Sequence, residues 1–361
     1  MNPAFTVTGI DLRPANPPLA VPHATASGMV ATFPMVAIDL HTSAGITGCA
    51  YVFTYTTLAA PAVAQLLRDL GSVIVGQPCA PLLLDAHLRK RFRLLGATGL
   101  VTMAVAGIDM AAWDALCKAN GKPLYAQLGG VRRASKGYAP VGLSGVAGSA
   151  REARAGVDAG FRGVKAKIGY PTLAEDLQVV AAMREAVGPD VAIMVDYNQA
   201  LDVPEAMRRC AALDDAGVAW IEEPTLADDL TGHAQIRAAA RTPIQAGENW
   251  WGLLDYRKAA DAGATDLWMP DAMKVGGITS WLKVAALAEA HGVPLSNHLF
   301  PEVSAHLMAL APTASWFEWC DWANPVLKQP VEVRDGDVWP SEAPGIGIEW
   351  DDAALARHEL I

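Results

Sequence analysis

Residues 162–170 read RGVKAKIGY, and the alternation within them predicts a short β-strand. Three apolar residues alternate with Lys165 and Lys167, so a strand directs both ammonium groups to one face. If that face is solvent, the lysines are ordinary surface residues. If it is an interior, two like charges lie side by side at a cost in free energy, and the pair needs a function. The strand alone leaves both interpretations open.

This strand belongs to a series. From about Lys136 onward, short β-rich runs alternate with segments rich in Ala, Leu and Arg that have helical composition. The runs are GYAPV, RGVKAKI, VAIMVD, VAWIEE, PIQAG, DLWMP, VPLSN and SWFE. Eight strands that alternate with helices predict a parallel sheet closed as a (β/α)8-type barrel, a modified TIM barrel of the α/β class. An open doubly wound sheet is the alternative, but its glycine-rich nucleotide motifs are missing.

The segments on either side of the barrel have a different pattern. MVAIDLHTSAGITGCAYVF reads as a β-hairpin, and three helical patterns follow it, which predicts an N-terminal α+β domain. After Glu318 the run VEVRDGDVW carries an Asp335-Gly336 turn signal. We expect this C-terminal tail to return to the N-terminal domain and complete it. The expected division of the chain is 1–130, 131–325 and 326–361.

Composition excludes several classes of function. The chain has 361 residues, 52% of them apolar, and a formal net charge of −10, so it lacks the basic surface that nucleic acids or anionic membranes require. The most apolar stretch, LVTMAVAGIDMAAWDAL, contains Asp109 and Asp114 and is too short to span a bilayer, which predicts a buried core helix. The N-terminus lacks a secretory signal pattern. Five scattered cysteines form no C-x-x-C pair, which favours a reduced, cytoplasmic protein.

Charged residues stand at the ends of the predicted barrel strands. Asp196 ends VAIMVD, Glu222 ends VAWIE and Glu248 follows PIQAG, at intervals of 26 residues. Asp271 and His298 follow at intervals of 23 and 27 residues. A single carboxylate after a strand is commonly a helix N-cap or an exposed loop residue. Charged residues at the ends of several successive strands instead predict a functional site, because these positions meet at the C-terminal mouth of a parallel barrel.

The residue types at the mouth indicate a metal site. Asp196, Glu222 and Glu248 are three carboxylates with no cysteine or histidine among them. Such a set suits a hard cation with oxygen ligands, Mg²⁺ first and Mn²⁺ as a possible substitute. Mg²⁺ keeps several positions for water or substrate oxygens. A chelating carboxylate substrate, such as a 2-hydroxy acid, is therefore expected.

With such a site at the barrel mouth, Lys165 and Lys167 face the barrel interior. The unfavourable proximity of their two charges can then serve catalysis. One ammonium group lowers the pKa of its neighbour by disfavouring the charged form. Bringing Lys167 from about 10.4 to about 7.5 takes roughly 4 kcal/mol and would make it a base near neutral pH. His298 is a second base, with Asp271 fixing its tautomer and orientation. Glu318 would donate a hydrogen bond to the substrate carboxylate.

At these residues the sequence resembles the mandelate racemase subgroup of the enolase superfamily. The resemblance covers nearly the whole chain, through AGIDMAAWDAL, VKAKIGYP, IMVDYNQ, WIEEPT, GENW, MPDAMKVGG, SNHLFPE and a final FE. It implies the same metal ligands, Lys167 and His298 as bases for opposite enantiomers, and Lys165 as a partner of the substrate carboxylate. It also implies an N-terminal domain that caps the barrel mouth, and homo-oligomers, often octamers.

The resemblance further implies a set of residues that contact the substrate. Asn198 would contact the substrate hydroxyl group, and Tyr55 would lie near the lid LAVPHATASGMV. The positions that match the apolar, valine-lined pocket of the subgroup are His23, Ser27 and Val30, of which only Val30 is kept. Pro140 replaces a polar residue, and Cys320 stands where a larger apolar side chain is expected. Either the lid favours a hydroxylated substrate, or His23 and Ser27 point away from the ligand.

Three functions remain in competition. The first is a Mg²⁺-dependent racemase or epimerase of a mandelate-like 2-hydroxy acid, working by two-base 1,1-proton transfer through an enediolate. The second is an acid-sugar (aldonate or aldarate) dehydratase that begins with the same α-proton abstraction. The third, a non-catalytic barrel that binds a carboxylate, has no need of two bases. Lys274 with Gly276 and Gly277 reads either as an anion cradle or as a tight loop at a helix entry.

Overall fold

The computed structural model describes residues 5–25 and 28–360. The N-terminal part is an α+β unit, which we call the cap, with an antiparallel sheet in the order β1-β4-β5 and a separate β2-β3 hairpin. Its elements are β1 (Val7–Ala15), β2 (Pro18–Thr25), β3 (Gly28–Thr32), β4 (Met35–Thr42), β5 (Thr47–Phe53), α1 (Ala60–Ile74), α2 (Pro81–Arg91), α3 (Gly99–Ala119) and α4 (Leu124–Gln127). The predicted hairpin is confirmed, since Met35 pairs with Phe53 and His41 with Thr47.

Helix α3 is the core helix of the cap. With 21 residues it is long and apolar enough to cross a bilayer by length and composition, so the prediction that this stretch is too short for a span is wrong. However, 83% of its apolar window is buried inside the protein, against β5 and α1. The prediction of a buried core helix is therefore confirmed. All five cysteines are likewise buried and free.

The central part is a barrel of parallel strands and helices, as predicted. Its elements are β6 (Ser135–Val141), α5 (Gly145–Asp158), β7 (Gly163–Lys167), α6 (Leu173–Val187), β8 (Ala192–Asp196), α7 (Val203–Leu213), β9 (Ile221–Glu222), α8 (Leu230–Ala239), β10 (Ile244–Ala246), α9 (Gly252–Ala262), β11 (Leu267–Trp268), α10 (Ile278–His291), α11 (Pro301–Leu310) and β12 (Phe317–Glu318). Neighbouring strands from β6 to β11 pair in parallel, and β12 pairs with β6. The run VPLSN contributes bridges from Leu295 to Trp268 and Ala314.

The two faces of β7 answer the question raised by the lysine pair. Val164, Ala166 and Ile168 are fully buried in a hydrophobic cluster with side chains of α5, α6 and α7. Alternation along the strand therefore directs Lys165 and Lys167 toward the barrel interior. Lys165 is 2% exposed, so the solvent interpretation is wrong.

The C-terminal tail divides between the barrel and the cap. It contains a short 3₁₀-helix (Asn324–Val326), β13 (Glu332–Arg334), β14 (Asp337–Trp339) and α12 (Asp352–Arg357). The β13-β14 hairpin turns at Asp335 and Gly336, both with positive φ as a two-residue type I′ turn requires. Strand β14 pairs with β6 of the barrel, which differs from the expected return to the cap. The following residues do reach the cap, where Glu359 bridges to Ala15.

A buried carboxylate joins the cap to the barrel. Asp109 of α3 accepts hydrogen bonds from the backbone N–H (2.9 Å) and hydroxyl (2.5 Å) of Thr279, in the first turn of α10. Gly277 permits this approach, because a Cβ there would lie 2.3 Å from the Asp109 carboxylate. Burial raises the pKa of Asp109 to about 7, although the bonds from Thr279 oppose that shift. The Gly276-Gly277 segment is therefore the loop at the entry of helix α10 rather than a cradle for an external anion. The Asp109 carboxylate lies at the N-terminus of that helix.

We expect Thr279→Val to lower the free energy of unfolding by about 2 kcal/mol, since it leaves two buried polar groups without this partner. The groups are the Asp109 carboxylate and the Trp113 indole N–H, which donates to the Thr279 hydroxyl at 2.9 Å. Urea unfolding measures the change, with Thr57→Val on the exposed surface as the control. Equal stabilities for the two variants would contradict this account of the junction.

Candidate active site

The C-terminal ends of the barrel strands bring the predicted charged residues together. Lys167 is the register partner of Asp196 on the next strand, and Asp196 is the partner of Glu222 on the strand after it. Glu248 lies two residues beyond β10, and Glu318 ends β12. Because all these strands run in the same direction, the side chains share one mouth of the barrel.

Three of the carboxylates form a compact cluster. Asp196, Glu222 and Glu248 are buried, and each offers an oxygen that lies within 4.8 Å of the oxygens offered by the other two. One oxygen of Glu222, Oε2, accepts hydrogen bonds from the indole of Trp220 (3.0 Å) and from the side-chain amide of Gln245 (2.8 Å). An all-oxygen set of this size suits a hard divalent cation.

The electrostatics of the cluster also fit a cation. Burial raises the pKa of Glu222 to about 8, although the ammonium of Lys165 opposes the shift. Burial raises the pKa of Asp196 too, but Lys167 and Lys165 outweigh it and lower that pKa to about 2. Glu248 Oε2 is buried without a hydrogen-bond partner. A divalent cation would neutralise the excess negative charge and engage this oxygen, so the residues present fit Mg²⁺.

The lysine pair is bound to carboxylates at the centre of the site. The ammonium of Lys165 lies 2.5 Å from Glu222 Oε1 and 2.8 Å from Glu318 Oε1. Lys167 donates to Asp196 Oδ2. Burial and Lys165 lower the pKa of Lys167, but Asp196, Glu248 and Glu222 together raise it by more, so the net shift is upward. This direction differs from the expectation that Lys165 brings the pKa of Lys167 down toward neutrality, because the carboxylate of Asp196 accepts a hydrogen bond from Lys167. A cation held by Asp196 would oppose this upward shift.

His298 and Asp271 form the predicted dyad. The Nδ1 of His298 lies 2.7 Å from Asp271 Oδ2, so an Nδ1–H bond to the carboxylate fixes the ring. The other oxygen of Asp271 accepts from the backbone N–H groups of Met273 and Lys274. This leaves Nε2 of His298 for proton transfer, 3.4 Å from Glu248 Oε2. Burial lowers the pKa of His298, but the contributions of Glu248 and Asp271 in the opposite direction are larger, so the net shift is upward.

Glu318 acts as an acceptor in this structure. Its Oε1 lies beside the Lys165 ammonium, and its Oε2 accepts from the backbone N–H of Leu299 at 3.2 Å. Burial raises the pKa of Glu318, but the combined effect of Lys165, His298 and Lys167 in the opposite direction is larger. The net shift is therefore downward. The predicted role as a hydrogen-bond donor thus requires a second negative charge, such as a substrate carboxylate, to arrive beside Glu318.

A cavity of about 410 Å³ opens above these groups, between barrel and cap. It is lined by six of the residues predicted to contact substrate: His23, Val30, Tyr55, Pro140, Asn198 and Cys320. The carbonyl oxygen of the Asn198 side chain is buried without a hydrogen-bond partner, as expected for a group that binds a ligand. Ser27 lies outside the described residues. Of the two readings of the lid, the structure favours the one in which His23 faces the cavity.

Part of the cavity wall is aromatic and uncharged. Phe53 packs on Tyr55 with ring centroids 4.3 Å apart, and Trp322 lies 6.1 Å from the His23 ring. Burial, with the charge of Lys167, lowers the pKa of His23 to about 4, so this imidazole is neutral at neutral pH. Among the described lining residues, the only lysines are Lys165 and Lys167, and no arginine is present.

Sequence reasoning missed a second set of buried polar residues beside the triad. Glu223 accepts two hydrogen bonds from Asn249, and Asn249 accepts one from Lys274. Phe53 and Trp322 were also missed, since the hairpin and tail patterns do not indicate which side chains reach the barrel. The sequence signal that could have identified Asn249 and Glu223 is their position directly after two predicted metal ligands, since Asn249 follows Glu248 and Glu223 follows Glu222.

Comparisons with known proteins agree with this architecture. Residues 7–129 match the N-terminal domain model of the mandelate racemase / muconate lactonizing enzyme family, and residues 148–354 match the enolase C-terminal domain-like model. The L-talarate/galactarate dehydratase of Salmonella typhimurium is 36% identical over 74% of this chain and 68% of its own length. The 3,6-anhydro-alpha-L-galactonate cycloisomerase of Streptomyces coelicolor is 32% identical over 91% and 92%, respectively.

A solved structure is similar over the full length of both chains. It is an enolase from Bradyrhizobium complexed with magnesium and mandelic acid, with 42% identity and a TM-score of 0.97. Together, the two domain models, the capped barrel and the acidic triad at its mouth lead to one assignment. The chain belongs to the enolase superfamily.

Proposed function

We propose that this protein is a Mg²⁺-dependent acid-sugar dehydratase. It would remove the C2 proton of a 2,3-dihydroxy carboxylic acid and release the C3 hydroxyl as water, and the resulting enol would tautomerise to a 2-keto-3-deoxy acid. The observation that carries the proposal is that Lys167, at the end of β7, and His298, between α10 and α11, line one cavity beside the acidic triad. The curated relatives, mostly acid-sugar dehydratases and cycloisomerases, support this outcome over racemisation.

Metal and carboxylate binding precede the chemistry. Asp196, Glu222 and Glu248 would hold Mg²⁺, which supplies Lewis-acid stabilisation of the negative charge that develops when C2 loses its proton. Lys165, between Glu222 and Glu318, would pair with the substrate carboxylate. Burial of Lys165 strengthens this pairing, since water does not screen it.

Two groups would divide the proton transfers. Lys167 takes the proton from C2, for which it must first lose its own proton, a step favoured by a second positive charge near Asp196. His298, oriented through Nδ1 by Asp271, delivers a proton from Nε2 to the departing C3 hydroxyl group. Asn198, whose side-chain carbonyl has no partner, would accept a hydrogen bond from a substrate hydroxyl.

The charges of the cavity indicate a monocarboxylic acid. Lys165 and Lys167 are already engaged with carboxylates near the triad. The other described lining residues include a neutral His23 and aromatic rings but no further lysine or arginine, so a second carboxylate would have no cationic partner of its own in the lining. Burying an unpaired charge is costly. We therefore expect an aldonate rather than an aldarate, in contrast to the relative named for galactarate.

Racemisation of a 2-hydroxy acid is the second candidate. The aromatic wall of Phe53, Tyr55 and Trp322 suits an apolar ring, and the Bradyrhizobium enolase binds mandelic acid. In this reaction His298 would return a proton to C2 rather than deliver one to a hydroxyl group. The two candidates therefore share their first step and differ in their product.

Product analysis decides between them. We expect aldonates, incubated with protein and Mg²⁺, to give a 2-keto acid that semicarbazide traps, and aldarates to react more slowly because the described lining residues offer no further lysine or arginine for a second carboxylate. Proton NMR in D₂O follows the C2 proton in parallel, with mandelates included. Exchange with inversion of configuration and no keto acid would reject the dehydratase and support racemisation.

The two proton-transfer groups should be separable by substitution. We expect Lys167→Ala to abolish C2 proton exchange with a substrate whose proton faces Lys167, whereas His298→Asn should permit exchange but block product formation. Isotope exchange in D₂O and keto acid release measure the two steps. If both variants retained wild-type product formation, the assigned roles would be wrong.

The metal assignment is testable without substrate. We expect Glu248→Gln to weaken Mg²⁺ or Mn²⁺ binding at least about tenfold, because it replaces a charged ligand of a three-carboxylate site with a neutral amide. Isothermal titration calorimetry measures the affinity. Glu289→Gln, on the exposed surface of α10, is the control and should bind as wild type does. Equal affinities for both variants would remove Glu248 from the ligand set.

A further inference from the structure

Lys274 is a buried cation that the proposed reaction does not use. It lies three residues beyond Asp271, between β11 and α10, and is 4% exposed. Its ammonium donates to the side-chain carbonyl of Asn249 and faces the Tyr55 ring, 4.5 Å from the centroid. No carboxylate in the described part of the chain forms a direct ion pair with it. Burying an ammonium group against neutral partners costs free energy, so the presence of Lys274 at this position needs an explanation.

Asn249 connects this ammonium to the metal site. Its side-chain N–H group donates to both oxygens of Glu223, at 2.9 and 2.7 Å, and lies 3.1 Å from Oε1 of the ligand Glu248. This amide orientation suits its neighbours, because the carbonyl faces a cation and the N–H faces carboxylates. The positive charge of Lys274 therefore acts on Glu223 and Glu248 through one side chain.

Tyr55 connects the same ammonium to the cap. It follows β5, has a left-handed backbone (φ 59°), packs against Phe53 and lines the cavity. A cation over an aromatic face is favourable, more so when it is desolvated. One lysine of the barrel thus contacts both the cap residue at the cavity mouth and the amide beside a metal ligand.

We propose that Lys274 is a positioning residue that links Tyr55 of the cap to Glu248 of the metal site. Its ammonium holds the Tyr55 ring at the mouth of the cavity and, through Asn249, orients the Glu248 carboxylate toward the metal. Metal binding and the placement of Tyr55 are then coupled through Lys274 and Asn249. The inference rests on the proposed function only in that Glu248 holds the metal.

The test measures Mn²⁺ affinity on the full-length protein by calorimetry, without substrate. We expect Lys274→Met, which keeps the aliphatic chain but removes the charge, to weaken Mn²⁺ binding about tenfold, in the range typical of outer-shell partners. Lys274→Arg should restore most of the affinity, since it keeps the charge and can face the ring. The matched control is Lys283→Met, an exposed lysine of α10.

Tyr55→Leu provides the second, independent measurement. Tyr55 is half-exposed, so this variant should fold, and we expect it to weaken Mn²⁺ binding in the wild-type background but not in the Lys274→Met background. It should also raise KM for the substrate more than it lowers kcat. These readouts separate positioning from a general loss of stability, which would not depend on the residue at position 274.

The outcomes are distinct. Wild-type affinity in Lys274→Met, or equal effects of Tyr55→Leu in both backgrounds, would overturn the inference. If Lys274→Met did not fold, the single Tyr55→Leu variant would decide, and unchanged Mn²⁺ affinity in it would overturn the coupling. If the wild-type protein itself bound no Mn²⁺, the metal site and with it the proposed function would fail first.

Discussion

The excess of negative charge at the barrel mouth is the constraint on which the site depends. Six carboxylates converge there within a buried region: Asp196, Glu222, Glu223, Glu248, Asp271 and Glu318. Three lysines and one histidine oppose them: Lys165, Lys167, Lys274 and His298. In a low-dielectric interior this imbalance is tolerable only with a further cation and with a network of hydrogen bonds that holds each carboxylate in place. The strand register, the dyad and the cap all serve that arrangement.

The position of the site could be predicted because periodicity along the chain becomes proximity in a barrel. Intervals close to 26 residues correspond to one strand and one helix, so Asp196 and Glu222 had to become register partners once the sheet was parallel. The inward direction of Lys165 followed from alternation as soon as its neighbours were known to face the helices. These inferences need only local geometry and a correct fold class.

Other features depend on distances that no local pattern encodes. The upward direction of the pKa shift of Lys167 depends on its distances to three carboxylates, Asp196, Glu248 and Glu222, whereas the sequence-based expectation considered only its spacing from Lys165. The contact between Tyr55 and Lys274 joins residues far apart in the chain, on different folding units. The pairing of the tail hairpin with β6, rather than with the cap, likewise follows from packing of the finished barrel.

The position of the tail has a consequence for the order in which the protein is assembled. Strand β6 is the first of the barrel strands to leave the ribosome, yet its edge is covered by β14, which is among the last. Glu359, almost at the end of the chain, also bridges to Ala15 in the first strand of the cap. Neither unit is therefore complete until these later residues have been synthesised, and contacts between residues so far apart in the chain form slowly. Until then the nascent chain exposes an unpaired strand edge and part of its core, which makes this interval the one in which a chaperone has most to protect.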